Sequence, residues 1–208
     1  MTHAFSPSAD PRSRVSPFAS GFDLCVRSRS MKDLPTTLPA GLAMGAVLER
    51  GDVEDVLVLP AGHPKQSNAR FEDLPPGAII GTSAMRRSAS LAKLHPHLVC
   101  KNIRGNVNTR LAKLDRGEFN AVILAKAGLE RLGFGDRISH VLPISEYGYA
   151  VGQGALAVVC RANDERTQHL VAQALEHPPT RWACEAERGV LRTLNGGCKV
   201  PITIRTTM

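Results

Sequence analysis

The sequence predicts an α/β fold built on a parallel-rich sheet, and three observations predict it. From Phe71 onward, short apolar runs of strand length alternate with helical patterns. The connections between them are short, so successive strands would lie parallel, with helices over both faces. Hydrophobic residues make up 43% of the 208-residue chain and aromatic residues only 4%, which predicts an aliphatic core.

The elements follow in order. Residues 1–29 mix Ser, Pro and Arg without periodicity and are expected to be a disordered or atypical leader. They lack a basic region followed by an apolar one, which argues against a secretory signal. Gly41 to Leu48 reads as a strand, Glu49-Arg50-Gly51-Asp52 as a turn and Val56-Leu57-Val58-Leu59 as a second strand. Ala78-Ile79-Ile80-Gly81 is a buried-type strand, and Thr82 and Ser83 are placed to cap the helix that begins near Ala84. Leu98-Val99-Cys100 opens a strand running to Arg104, and a helix with Val107, Leu111 and Leu114 on one face follows. Ala121 to Ala125 is the third wholly apolar strand; its helix carries Ala127, Leu129 and Leu132 and ends at Gly133. Leu156 to Val159 reads as a further strand, followed by helices near Glu165–Leu175 and Thr180–Leu194. On the second of these, Ala183, Ala186 and Val190 make the expected buried face, and Glu185 and Glu187 the wet one. Ile202-Thr203-Ile204 reads as a final strand.

Composition narrows the function. Lysine and arginine total 26 against 19 acids, a net charge of +7 that suits an anionic partner. The arginines sit in separate short motifs without interleaved aromatics, which argues against nucleic acid. Several arginines converging on one cleft would suit a substrate bearing several carboxylates. No run approaches the roughly 18 to 20 apolar residues that cross a bilayer. Five widely spaced cysteines with no CxxC pair argue for reduced thiols in a cytosol-like compartment, and against a disulfide framework or a zinc site. The histidines have no metal-ligand spacing.

Parallel sheets bind ligands at the carboxyl ends of their strands. Those ends carry Thr82, Ser83, Arg86, Arg87 and Arg104, with Arg110 in the next helix and Arg137 in a loop beyond. Backbone N–H groups at the helix start add an anion site, and Arg86 and Arg87 stand there against the helix dipole. Asp33 beside Lys32 is either a solvated ion pair or a carboxylate facing a cationic, nitrogen-containing substrate. Ala150-Val151-Gly152-Gln153-Gly154-Ala155 suits a hinge or a close backbone approach to a ligand, and is not a dinucleotide fingerprint. Cys198 follows two glycines on a turn, with Lys199 beside it to favour the thiolate. Alone, the octapeptide Leu194-Asn195-Gly196-Gly197-Cys198-Lys199-Val200-Pro201 reads first as an ordinary small apolar cysteine near a turn.

Together these motifs, from about Ser30 to Thr207, resemble the porphobilinogen deaminase (hydroxymethylbilane synthase) family. The resemblance rests on Ser30-Met31-Lys32-Asp33-Leu34-Pro35, Gly81-Thr82-Ser83 with Arg86-Arg87, Arg104-Gly105-Asn106-Val107 with Thr109-Arg110-Leu111, and Lys113-Leu114-Asp115. It continues through Ile123-Leu124-Ala125, Ala150 to Ala155, Glu185-Ala186-Glu187-Arg188 and Gly196-Gly197-Cys198. It implies a transferase with periplasmic-binding-protein-like domains, parallel-rich mixed sheets, and a fragment of a small α+β third domain. Residues 30–56 and 148–175 would belong to domain 1, 57–147 to domain 2, and 176–208 to domain 3 with the cofactor-cysteine loop.

The resemblance further implies a dipyrromethane cofactor, joined to Cys198 by a thioether, onto which four porphobilinogen molecules are condensed with release of ammonia. Asp33 and Lys32 would be the catalytic pair. Ser83, Arg86, Arg87, Arg104, Arg110, Arg137, Gln153 and Gly154 would bind the cofactor and growing chain. A cytoplasmic monomer that engages neither nucleic acid nor membrane is expected. Two departures stand out: Arg29 occupies a position usually held by His, and the family's first strand and helix have no counterpart in residues 1–29. Most of domain 3 also has no counterpart, so the chain is expected to be truncated at both ends. That leaves a second expectation, a non-catalytic module binding polycarboxylates or pyrroles.

Overall fold

The computed structural model describes residues 26–64, 69–194 and 202–206. In chain order these form β1 (Arg27–Ser30), a 3-10 turn (Met31–Asp33), β2 (Leu42–Val47), β3 (Asp55–Val58) and a second 3-10 turn (Phe71–Asp73). Next come β4 (Ile79–Gly81), α1 (Met85–Leu94), β5 (Val99–Lys101), α2 (Val107–Asp115), β6 (Ala121–Ala125) and α3 (Lys126–Glu130). A 3-10 turn (Gly135–Arg137), β7 (His140–Val141), α4 (Ile144–Tyr147), β8 (Leu156–Arg161), α5 (Glu165–Leu175) and α6 (Pro178–Thr193) follow.

The strands make two sheets, one ordered β5-β4-β6-β3-β7 and one ordered β1-β8-β2. In the larger, β4 pairs parallel with both β5 and β6, as helical crossovers require. β3 runs antiparallel to β6 and β7, so the sheet is mixed. Alternation along each strand splits its core in two. Leu57, Ile80, Ala121 and Ile123 face Leu91 of α1, while Val56, Val58, Val122 and Leu124 face Leu111, Leu114 and Leu129 of α2 and α3. In the smaller sheet both pairings are antiparallel. Cys184 of α6 joins the core on one face and Val171 of α5 the core on the other.

A buried ion pair joins α6 to the rest. Glu187 is 0% exposed, and it accepts from Arg50 Nη1 at 2.7 Å, Arg50 Nη2 at 3.0 Å, the Gly152 amide at 2.8 Å and Thr206 Oγ1 at 2.8 Å. Arg50 lies over the Tyr149 ring, 5.1 Å from its centroid, and its Nε donates to the Gln153 carbonyl. This corrects the expected faces of α6: Glu187 is inside, Ala186 is exposed and Val190 is 45% exposed. A charge is a sign of exposure only until a partner distant in sequence meets it.

Three further expectations change. Arg27 to Arg29, read as part of a disordered or atypical leader, lie in β1 and pair with Val159 to Ala157 of β8. Residues 202–206 form no strand; Thr203 packs against Gly148, and the Thr206 amide donates to the Tyr149 hydroxyl. Leu132 is 53% exposed, because α3 ends at Glu130, short of the predicted helix.

Gly154 is a packing residue. Its φ is 83°, and a Cβ there would run into the Gly51 carbonyl oxygen. Gly41 has a similar φ of 82° with nothing within 4 Å. Urea unfolding should therefore show Gly154→Ala costing at least about 2 kcal/mol and Gly41→Ala costing about 1 kcal/mol. Equal costs would mean that the close approach to Gly51 contributes nothing.

Candidate active-site cleft

The larger sheet places an acid where a strand should be apolar. Asp55 opens β3, is 1% exposed, and sits between two guanidinium groups of the first turn of α1. Its Oδ2 accepts from Arg86 Nη2 at 2.5 Å and its Oδ1 from Arg87 Nη2 at 2.7 Å. Gln153 Nε2 donates to the same Oδ1 at 2.8 Å and to the Val53 carbonyl at 2.6 Å. Arg86 Nη1 also reaches the Tyr147 and Gly148 carbonyls, and Arg87 Nη1 the Ile123 carbonyl. Burial alone would raise the Asp55 carboxyl, but Arg87 and Arg86 more than offset it and hold it at about 2.

In front of this cluster lies a cleft of about 280 Å³. It gathers Lys32, Asp33, Ser83, Arg86, Arg87, Arg110 and Gln153 from the residues the sequence singled out, and adds Thr36, Arg188 and Leu191. Asp33 and Ser83 are exposed there, while Lys32 and Arg110 are half-buried. Burial first and Arg87 second lower the Lys32 ammonium to about 8, against the opposing pull of Asp33. Arg110 is lowered in the same way, by burial and then Arg87. Its Nε donates to the Gly105 carbonyl at 2.8 Å, which fixes it beside the Asn106-capped start of α2. Arg188 donates to the Leu34, Pro35 and Thr36 carbonyls, so α6 holds the backbone just after Asp33.

Other expected residues lie elsewhere. Arg137 pairs with Asp115 at 2.7 and 3.1 Å and reaches the Leu59 carbonyl, away from the cleft lining. Arg104 is exposed and outside the lining; its carbonyl accepts from Lys113 Nζ. The Gly154 carbonyl accepts from Arg131 Nη2, a contact made by packing. Thr82 and Ser83 do not cap α1: Ala84 is its N-cap, with no side-chain cap bond, and Thr82 Oγ1 accepts only the Ala84 amide. Cys198 lies outside the described residues. Cys100, Cys160 and Cys184 are free thiols. Burial raises all three, Cys184 to about 11, so none is a thiolate near neutral pH.

The sequence reading missed Asp55, Arg50, Glu187 and Arg188. For Asp55 a signal existed, since an acid directly before Val-Leu-Val needs a buried partner or a place outside the strand. For Arg50 and Glu187, which meet across 137 residues, no local signal exists.

The cleft lining is cationic. Arg86 Nε and Arg87 Nε are buried and have no hydrogen-bond partner within the protein. Gln153 Oε1 is orphaned in the same way. Such atoms cost free energy unless a ligand or water satisfies them. With Lys32, Arg110 and Ser83 nearby, the two arginine donors suit the carboxylates of a dipyrromethane, while Gln153 Oε1 calls for an N–H or O–H donor.

Asp55 stabilises only while ionised. Its folded value of about 2 lies below the unfolded value of about 3.9, so its contribution is complete above about pH 5 and is lost as pH falls toward 2. Asp55→Ala leaves two buried cations unpaired and should cost about 3–5 kcal/mol in denaturant unfolding at pH 7. The variant's deficit relative to the parent should shrink toward pH 2; a deficit independent of pH would show that packing, and not charge, holds this cluster.

Comparison with known proteins gives the site a family. The model described as "Porphobilinogen deaminase, dipyromethane cofactor binding domain" matches residues 18–169. Porphobilinogen deaminase of Nostoc sp. is 52% identical over 177 residues, 85% of this chain and 54% of that protein. That of Synechococcus elongatus is 50% identical over 194 residues, 93% of this chain and 59% of that protein. The chain thus spans between half and three-fifths of the length of these curated relatives. Among solved structures, a periplasmic solute-binding protein from Sulfitobacter sp. aligns over 74% of this chain and 47% of that one. The TM-score is 0.42 at 15% identity, and likeness at that score assigns nothing to this chain. By the family model over most of its length and by half-identical relatives, the chain belongs to the porphobilinogen deaminase family.

Proposed function

We propose that the protein is a hydroxymethylbilane synthase, a transferase that condenses porphobilinogen stepwise in the cleft and releases ammonia at each step. The observation that carries this reading is the convergence of Asp33 and Lys32 with Ser83, Arg86, Arg87 and Arg110 on one cleft. A dipyrromethane held on Cys198 would supply the pyrrole terminus that each new unit joins. Asp33, the exposed carboxylate of the lining, would face the positive charge that spreads onto the pyrrole N–H as ammonia departs. Lys32, Arg110 and Ser83 would bind the acetate and propionate arms, with Arg86 Nε and Arg87 Nε behind them. Arg188 keeps the Asp33 turn in place through the 34–36 carbonyls.

Support for Cys198 comes from its neighbours. Leu191 and Ile202, described residues on either side of it, both line the cleft. Ile202 is four residues from Cys198, a span of at most about 14 Å. The same reading assigns 30–56 with 148–175 to domain 1, 57–147 to domain 2 and 176–208 to domain 3. It makes the protein a cytoplasmic monomer. The free thiols suit a reducing compartment, and among the described residues no helix is long and apolar enough to cross a membrane.

Two measurements test the reading. Mass spectrometry of the chain produced where porphobilinogen is present should show a dipyrromethane adduct that maps to Cys198 and is absent from Cys198→Ala. An unmodified thiol together with no bilane formation would refute it.

Binding should also depend on pH through Lys32. Its charge is present below about 8 and lost above, so affinity for porphobilinogen should fall about tenfold between pH 7 and 9.5. Lys32→Arg, which stays charged, should flatten that profile; an unchanged profile would remove Lys32 from the binding set.

A further inference from the structure

Tyr147 is held at both ends, and one end is at the cleft. Its carbonyl accepts from Arg86 Nη1 at 3.0 Å, and the next carbonyl, of Gly148, accepts from the same atom at 3.3 Å. Its hydroxyl lies 2.6 Å from His95 Nε2. His95 is the C-cap of α1, the helix whose first turn carries Arg86, so α1 and α4 are joined at two points. The His95 and Tyr147 rings are nearly parallel, at 9° and 6.2 Å, and Phe71 packs on both. On its other side His95 Nδ1 lies 3.5 Å from Glu72 Oε1.

The titratable groups around this pair come from three places: Glu72 on the Phe71–Asp73 turn, His97 just beyond α1, and Glu146 beside Tyr147 on α4. Burial first and His97 next lower the His95 pKa, while Glu72 and Glu146 oppose them. Burial, with Glu146 and Glu72, pushes the Tyr147 hydroxyl up to about 12, so it keeps its proton. With its proton on Nδ1 toward Glu72, neutral His95 accepts the Tyr147 O–H at Nε2. Protonation puts a second N–H on Nε2, so the phenol has to turn and its own proton loses that acceptor.

We propose that His95 and Tyr147 are positioning residues for Arg86: their hydrogen bond fixes the one-turn helix α4, whose final carbonyls hold Arg86 in the cleft, and protonation of His95 loosens that hold. The inference rests on the reading of the cleft as a site for pyrrole carboxylates. It adds a proton-sensitive support outside the lining.

Calorimetric titration of the full chain with porphobilinogen between pH 5 and 8 tests it, alongside NMR exchange of the Arg86 Nε–H. Tyr147→Phe should weaken binding about three- to tenfold, and that loss should largely vanish in an Arg86→Lys background. Parent affinity should fall at a pH below the usual imidazole value of 6.5, and His95→Gln should abolish that fall. Arg86 Nε–H exchange should lose protection in Tyr147→Phe and, in the parent, at pH 5, once each rate is divided by the base-catalysed intrinsic rate at that pH. Additive losses, or a pH profile unchanged in His95→Gln, would overturn the proposal. A parent chain that binds no porphobilinogen would instead count against the functional reading, and Arg86 exchange would still decide the positioning role. Should Tyr147→Phe fail to fold, His95→Gln alone decides it by the same exchange and pH measurements.

Discussion

The Asp55 carboxylate, buried between Arg86 and Arg87, is the interaction on which the cleft depends. Removing three charges from water is costly, and only close geometry with further hydrogen bonds offsets that cost. Here the geometry supplies them. Asp55 accepts from both guanidinium groups and from Gln153, and those groups go on to carbonyls of β6, α4 and the segment before β3. One carboxylate therefore fixes the start of α1, the centre of the larger sheet and the glycine-rich connection to β8. Arg86 and Arg87 also stand where the helix dipole disfavours cations, a cost of about 0.3–1 kcal/mol each. They are tolerated there because Asp55 faces them, which makes the helix start a rigid cationic wall.

A second buried carboxylate performs the matching task for the smaller sheet. Glu187 collects Arg50, the Gly152 amide and Thr206, and thus joins α6 to the connection between the sheets and to residues 202–206. Arg188, the next residue, turns the other way and binds the carbonyls behind Asp33. Adjacent residues of opposite charge on one helix so hold opposite sides of the same cleft. The Asp33 carboxylate needs this arrangement, because its position on an exposed turn is otherwise set only by a short 3-10 segment and the burial of Met31.

Much of this was legible in the sequence, and the parts that were not share a cause. The inner strands β3, β4 and β6 of the larger sheet announced themselves as apolar runs, because both faces of that sheet are covered there. β8 did so for the same reason. Lys32, Asp33, Ser83, Arg86, Arg87 and Arg110 were all singled out before the fold brought them together. Arg104 and Arg137 were drawn in by the same logic of arginines near strand ends, yet Arg137 finds Asp115 and Arg104 stays in solvent. Sequence spacing gives the end of the sheet a residue occupies, and does not give the direction in which a long side chain leaves it. Glu187 failed for the converse reason: its partner is 137 residues away, and no helical periodicity carries that information.

The charge balance of the cleft then has a consequence for what it can hold. Lys32, Arg86, Arg87, Arg110 and Arg188 stand at the lining, while Asp33 and the Asp55 carboxylate behind it are the anions facing them. Arg188 is spent on backbone carbonyls, and Arg86 and Arg87 share Asp55 while each keeps a buried, unpartnered Nε. The remaining cationic surplus is spread along the cleft instead of being focused at one point. A single small anion would satisfy only part of it. A row of linked rings, each bearing two carboxylates, meets it in several places at once. Under the proposed function Asp33 would face the ring nitrogens, where carboxylates would repel it and a developing cation would not. The cationic lining thus suits an extended polycarboxylate better than a single small anion, and under the proposed function it would leave Asp33, the exposed acid of the cleft, free to act on the ring.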